Sequence, residues 1–129
     1  MNAINYKREI AATVAEAIER ATKVLSAEGF GILTRIDMHT KIKEKIDKDI
    51  IPTVILGVCN PNFAYQVYII NSNISSLLPC NVVIREVRPG RISVEFVKPS
   101  AMFQILDDSR LTELAREGDV AMERALKSL

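Results

Sequence analysis

Hydrophobic and polar positions change their period several times along this chain, and each change marks an element. Residues 3 to 10, AINYKREI, set Ile4, Tyr6, Arg8 and Ile10 at every second position, the alternation of a half-buried strand. The period then lengthens. Val14, Ala17, Ile18, Ala21 and Leu25 fall at helical spacing behind Thr13-Val14-Ala15-Glu16, which fits a capping box, and Gly29 stands where a left-handed cap is needed. The spacing predicts a helix over 13–28. GFGILTRID, 29–37, reads as a strand with Phe30, Ile32, Thr34 and Ile36 on one side and Leu33 on the other. Asp37 can cap a short helix to about Ile46, with Met38, Ile42 and Ile46 as its apolar ridge.

After Pro52 the run TVILGVC is apolar on both faces, the mark of a strand covered on both sides or on one side plus an interface. Asn60-Pro61 then opens a helix to about Ile70, because Asn is a favoured N-cap and proline suits the first helical position. NSNISS is a polar connection, and Pro79 ends the apolar pair before it re-enters a strand. Residues 80–97 read as a hairpin with Cys80, Val82, Ile84, Ile92, Val94 and Phe96 on one face. That grouping needs a three-residue loop, Arg88-Pro89-Gly90; a two-residue Pro-Gly loop would set Ile84 across from Glu95. Pro99 begins a short helical or irregular piece. Asp107 or Asp108 caps a last helix with Leu111, Leu114, Gly118, Met122, Ala125 and Leu129 on one stripe.

The order β-α-β-α-β-α-β-β-α implies an α+β two-layer sandwich: a mixed, curved sheet of about five strands with helices packed mainly on one face, in a single domain over 1–129. A two-sided apolar strand in so small a sheet asks for a second cover, which a homodimer supplies.

Composition narrows the function classes. With 17 Lys+Arg against 16 Asp+Glu the formal net charge is +1, which gives no field to draw in nucleic acid or an anionic membrane. Aromatics are 5% with no Trp, so stacking platforms for bases are scarce. No apolar run approaches the ~18 residues of a membrane span, and MNAINYKREIAAT lacks the basic-then-apolar order of a secretory signal. The expected compartment is the cytoplasm, where the two cysteines are thiols.

EGFGILTRID, the ILGVCNP block and LLPCNVVIRE, in this order and spacing, resemble the family catalogued as domain of unknown function 302. The residues that carry the likeness are Gly29, Phe30, Gly31, Asp37, Gly57, Cys59, Asn60, Pro61, Leu78, Pro79, Cys80 and Asn81; Val58 departs where small residues are common. The resemblance implies a small two-layer homodimer and no established activity, substrate or cofactor.

The chemistry-bearing candidates gather at two Cys-Asn steps. Cys59 ends one strand and Cys80 begins another. If those strands are antiparallel neighbours, the thiols meet at one sheet edge beside the helix start at Pro61, where a helix N-terminus lowers a thiol pKa and attracts anions. The expected ligand pocket is formed by Cys59-Asn60-Pro61, Leu78-Pro79-Cys80-Asn81 and Met102, for a small anionic or partly apolar ligand bound without catalysis. The alternative is a thiol enzyme, a redox protein or a soft-metal site at Cys59 and Cys80, with Met102 completing a Cu(I) set. The plainer reading of the same residues is buried cysteine and an N-cap asparagine. No zinc set is assembled from these residues. His39 is read as a solvated or dipole-edge residue rather than a base, and Glu44 as a surface partner of Lys41 or Lys48.

Overall fold

A computed structural model describes residues 3–129. The elements run β1 (Asn5–Ala11), α1 (Val14–Ala27), β2 (Gly31–Asp37), α2 (Met38–Ile46), β3 (Thr53–Cys59), α3 (Pro61–Ile70), β4 (Cys80–Arg88), β5 (Arg91–Val97), α4 (Pro99–Leu106) and α5 (Thr112–Lys127). Short 3₁₀ turns at Ser72–Leu77 and Ser109–Leu111 join them. This is the expected α+β architecture. The five strands lie in the order β1-β5-β4-β3-β2.

Every neighbouring pair is antiparallel, so the sheet is not mixed as expected. The connections explain the difference. α2 and α3 leave and re-enter the same end of the sheet, so β2, β3 and β4 alternate in direction. Only α1 carries the chain from end to end, and it joins the two outermost strands, which do not pair.

Local chemistry shapes α1 as the sequence indicates. The Thr13 hydroxyl accepts from the Glu16 amide at 3.1 Å, and the Glu16 carboxylate accepts from the Thr13 amide at 2.9 Å. Gly29 follows at φ +86°.

One sheet face is the floor of the core. Val54, Leu56 and Val58 of β3, Cys80, Val82 and Ile84 of β4, and Ile92, Val94 and Phe96 of β5 are each at most 5% exposed, packed with Leu25 of α1 and Met122 of α5. Arg8, opposite Val94, falls on the same side of β1 as a polar residue among apolar ones. Its Nη1 donates to the carbonyls of Leu126 and Lys127 at 3.1 and 3.0 Å, a cation at the C-terminal end of α5.

Two bulges adjust the alternation. In the hairpin, Val82 faces Phe96 and Ile84 faces Val94, the register of the three-residue loop, but at the tip Arg88 pairs with Arg91 across Pro89-Gly90. Val87 absorbs the difference, so the apolar face is kept and the turn is tight. In β2 the register shifts between Ile32 and Thr34. Ile32 therefore sits opposite Val58 on the core side, while Thr34 and Ile36 oppose Gly57 and Ile55 on the other side. This corrects the expected single stripe.

Two polar expectations also change. Asp37 does not cap α2: no amide of the first turn reaches its side chain, and its Oδ1 accepts instead from Arg35 Nε at 2.9 Å. His39 is not simply solvated; its Nδ1 accepts from the Thr53 amide at 2.9 Å and ties α2 to the start of β3. Lys41 does reach Glu44, at 3.6 Å.

Candidate functional site

The two Cys-Asn steps do lie at one end of the sheet, because β3 ends and β4 begins there. Asn60 is the working residue of the first. Its Oδ1 accepts from the Phe63 amide at 3.2 Å, the N-cap bond of α3, and its Nδ2 donates to the Glu28 carbonyl at 3.3 Å, closing the end of α1. Its amide lies where a side chain on Gly29 would have to go: a Cβ there would stand 2.9 Å from Nδ2. Glu28 is held from the other side by Arg124 of α5, at 2.6 and 2.8 Å, and that guanidinium keeps its carboxyl below the usual range. One asparagine thus joins the end of α1, the start of α3 and the end of β3.

The cysteines do not face each other. Cys80 is directly opposite Val58, so Cys59 is one position out of step and its side chain points to the opposite sheet face. Cys80 is 5% exposed in the core, and Cys59 is half-buried opposite Gly31. Both are free thiols. Burial pushes the Cys59 thiol up, and burial with the neighbouring Cys59 charge pushes Cys80 up to about 11. This corrects the expected lowering by the helix N-terminus: desolvation outweighs it. With Cβ vectors pointing to opposite faces the pair cannot form a disulfide or close on one metal ion with Met102, which is buried on α4. Among the described residues no group of three or more His, Cys, Asp or Glu is placed to hold a metal.

The remaining pocket residues pack on one another. A Cβ on Gly57 would lie 2.2 Å from Thr34 Oγ1 and 2.7 Å from Pro79 Cγ, so the glycine admits Pro79, preceded by a cis peptide bond, onto the sheet. Asn81 is exposed. None of the three best-formed clefts among the described residues is lined by Cys59, Asn60, Pro61, Leu78, Pro79, Cys80, Asn81 or Met102.

One of these clefts, about 950 Å³, lies between α4, the Ser109–Leu111 turn and the first turns of α5. Phe103, Leu111 and Ala115 form its apolar floor, and Lys98, Arg116, Asp107, Asp108 and Asp119 are charged groups along it. Its geometry follows from two local devices. Gly118 lets Phe63 and Pro99 approach α5, where a Cβ would meet them at 2.8 and 2.9 Å, and Phe63 stacks on Phe103 at 5.8 Å between centroids. Asp119 Oδ1 accepts from the Ser100 amide at 2.9 Å and so caps α4 from α5. Lys98 lies over the Tyr6 ring, 4.9 Å from its centroid. These residues carried no sequence signal, since they converge only through the α4–α5 packing.

The opposite sheet face holds a second polar group that the sequence reading passed over. Glu95 and Ser93, on the side of the sheet away from the core, are 5% and 6% exposed. Arg85 donates to Glu95 Oε2 through Nε and Nη2 at 3.0 and 2.8 Å, and the Ser93 hydroxyl donates to the same oxygen at 2.9 Å. Arg85, Ser93 and Glu95 at alternate positions of paired strands were the available clue.

The model of the family described as domain of unknown function DUF302 matches residues 6–129. The chain belongs to the DUF302 family. A solved structure, that of an uncharacterized conserved DUF302 protein from Bacillus stearothermophilus, is similar at a TM-score of 0.90 and 29% identity over 98% of both chains. No curated protein matches. Within this DUF302 chain the signature residues Gly29, Gly57, Asn60 and Pro79 all serve the packed turns rather than an open cleft. No helix is long and apolar enough to cross a membrane among the described residues.

Proposed function

We propose that the protein is a cytoplasmic, homodimeric domain that binds a small, partly apolar ligand without transforming it. The α4–α5 cleft carries the reading. Its size falls in the range of small-molecule sites, and its apolar floor with a few convergent polar groups is the usual composition of one. Its charged lining is mixed, with Lys98 and Arg116 beside Asp107, Asp108 and Asp119, so the apolar floor rather than net charge carries the ligand. We place the ligand there rather than at the Cys59–Asn81 turns, whose side chains are spent on each other. The thiol-enzyme alternative loses support because the two sulfurs lie on opposite faces and both thiols are held protonated near neutral pH. The free cysteines suit a reducing compartment.

Protein purified from its own cells, examined by native mass spectrometry, should carry a small molecule that is lost in Ala101→Trp, a variant that fills the cleft. That molecule, added back, should raise the melting temperature of the wild type and not of the variant. A compound retained equally by both would move the site elsewhere, and a wild type that carries nothing and is stabilised by no member of a metabolite panel would overturn the reading.

A further inference from the structure

We propose that the tip of the β4–β5 hairpin, on the sheet face away from the core, binds a phosphate-type oxyanion between Arg88 and Arg91. The site is separate from the α4–α5 cleft, which lies among the helices on the other face. Arg88 and Arg91 flank Pro89-Gly90 and stand directly opposite each other in the ladder, next to the pair that holds buried Ile92. Both side chains therefore leave the face that Ile92 does not. Like charges directly opposite each other destabilise a strand pair, and the protein does little to neutralise this one. Arg91 Nε is buried without an acceptor, and no carboxylate forms an ion pair with its guanidinium, among the described residues. Arg88 reaches Glu9 Oε1 at 3.7 Å and keeps a side chain 64% exposed. A buried charged donor without a partner costs stability, and in native proteins such a group marks a bound water or ion. An oxyanion seated between the two guanidinium groups gives Arg91 an acceptor and turns the repulsion into two charge-assisted contacts.

The neighbouring charges set the class of ligand. On this part of the face the cations Lys7, Arg85, Arg88 and Arg91 stand against the carboxylates Glu9 and Glu95, while Glu86, opposite Ile92, leaves the other face. Glu95 is spent on Arg85 and on the Ser93 hydroxyl. Glu9 is matched by Arg88, which leaves Lys7 and Arg91 uncompensated. Two spare positive charges suit a phosphate, which carries about −1.5 to −2 near neutral pH and offers three acceptor oxygens; a single carboxylate supplies half of that. Beside Arg88, a cleft of about 480 Å³ lined by Lys7, Glu9 and Val87 leaves room for the rest of a small phosphate monoester.

Amide NMR of the full chain, titrated with inorganic phosphate and with phenyl phosphate against sodium chloride of equal ionic strength, tests the site. Shifts should centre on Lys7, Glu9, Arg88 and Arg91. Arg91→Gln should weaken binding about tenfold, the loss of one charge-assisted contact. Arg91→Lys keeps the charge without the planar fork and should fall between that variant and the wild type. Glu9→Gln removes the competing carboxylate at an exposed position and should bind more tightly than the wild type. Lys98→Gln, in the α4–α5 cleft, should change nothing. Tighter binding of phenyl phosphate marks a phosphorylated small molecule as the ligand, and equal binding marks free phosphate. Dispersed spectra confirm that each variant is folded. Shifts no larger than those in chloride, or an affinity unchanged in both Arg91→Gln and Glu9→Gln, overturn the site.

Discussion

Cys80 faces Val58 across β3 and β4, and that one-residue offset separates the two thiols onto opposite sides of the sheet. Cys80 titrates inside the core, shifted from 9.0 to about 11 chiefly by burial. Its folded pKa is raised, so its contribution to stability is complete below the unfolded value near 9 and is lost as pH rises toward 11, because the unfolded chain releases the proton first. The loss should approach about 2–3 kcal/mol by pH 11. Cys80→Ala should cost about 1–2 kcal/mol at pH 7 and flatten this slope. Urea unfolding at several pH values from 7.5 to 10.5 checks the sign: stability that rises over that range refutes it. Alkylation in the native state should modify Cys59 first and reach Cys80 only on unfolding.

Asn60 makes two bonds with two different atoms, so two substitutions separate them. Asn60→Ala loses both and should cost about 2 kcal/mol. Asn60→Asp keeps the acceptor for the Phe63 amide but sets a carboxylate oxygen against the Glu28 carbonyl, and should recover no more than half. Equal stability of Asn60→Asp and the wild type in denaturant titration would show that the bond to α1 contributes nothing.

Gly57→Ala places a methyl group inside the contact distance of Thr34 and Pro79. The overpacking should cost about 1–3 kcal/mol. Thr34 Oγ1 is the nearest atom, so Thr34→Ala in the Gly57→Ala background should return part of that loss. Additive effects of the two changes would place the strain elsewhere.

Arg85→Met should destabilise the protein by about 1–3 kcal/mol, since it leaves Glu95 buried with only the Ser93 hydroxyl on its bonded oxygen. The partial exposure of Arg85 keeps the figure at the lower end for buried pairs. Adding Glu95→Gln should recover part of the loss. Thermal unfolding of the single and double variants measures the coupling.

The periods of two and of 3.6 were enough to locate all five strands and four of the five main helices, with α4 left as a short helical or irregular piece, and Thr13, Asn60 and Gly29 marked ends where the caps are found. Strand direction was less visible. Nothing in the composition of α2 or α3 says whether a helix returns to the end of the sheet it left. The bulges at Leu33 and Val87 were hidden for a related reason: one extra residue reverses the side on which every later side chain falls. That reversal spoiled the expected stripe Ile32-Thr34-Ile36. At the candidate site, the caps and glycines were legible because each acts on neighbours within a few residues or on backbone. The α4–α5 cleft was not, since Lys98 and Arg116 come near each other only through Gly118 and Asp119. The cysteines were placed at the right end of the sheet, but their relation depended on a register that two short strands do not announce.

The strand order also bears on how the protein is made. β1 emerges from the ribosome before the other four strands, yet its only strand partner among the described residues is β5, with Ala11 opposite Arg91. Until the last third of the chain has been synthesised, Tyr6 and Ile10 have no strand to join, and α1 has only part of its sheet to lie on. A nascent chain stalled before Arg91 would present β1 and the outer side of β4 as open edges, ready for a chaperone or for one another. Closure of the sheet is therefore a late, long-range event, and the final hairpin strand is the piece that sets the first strand in place.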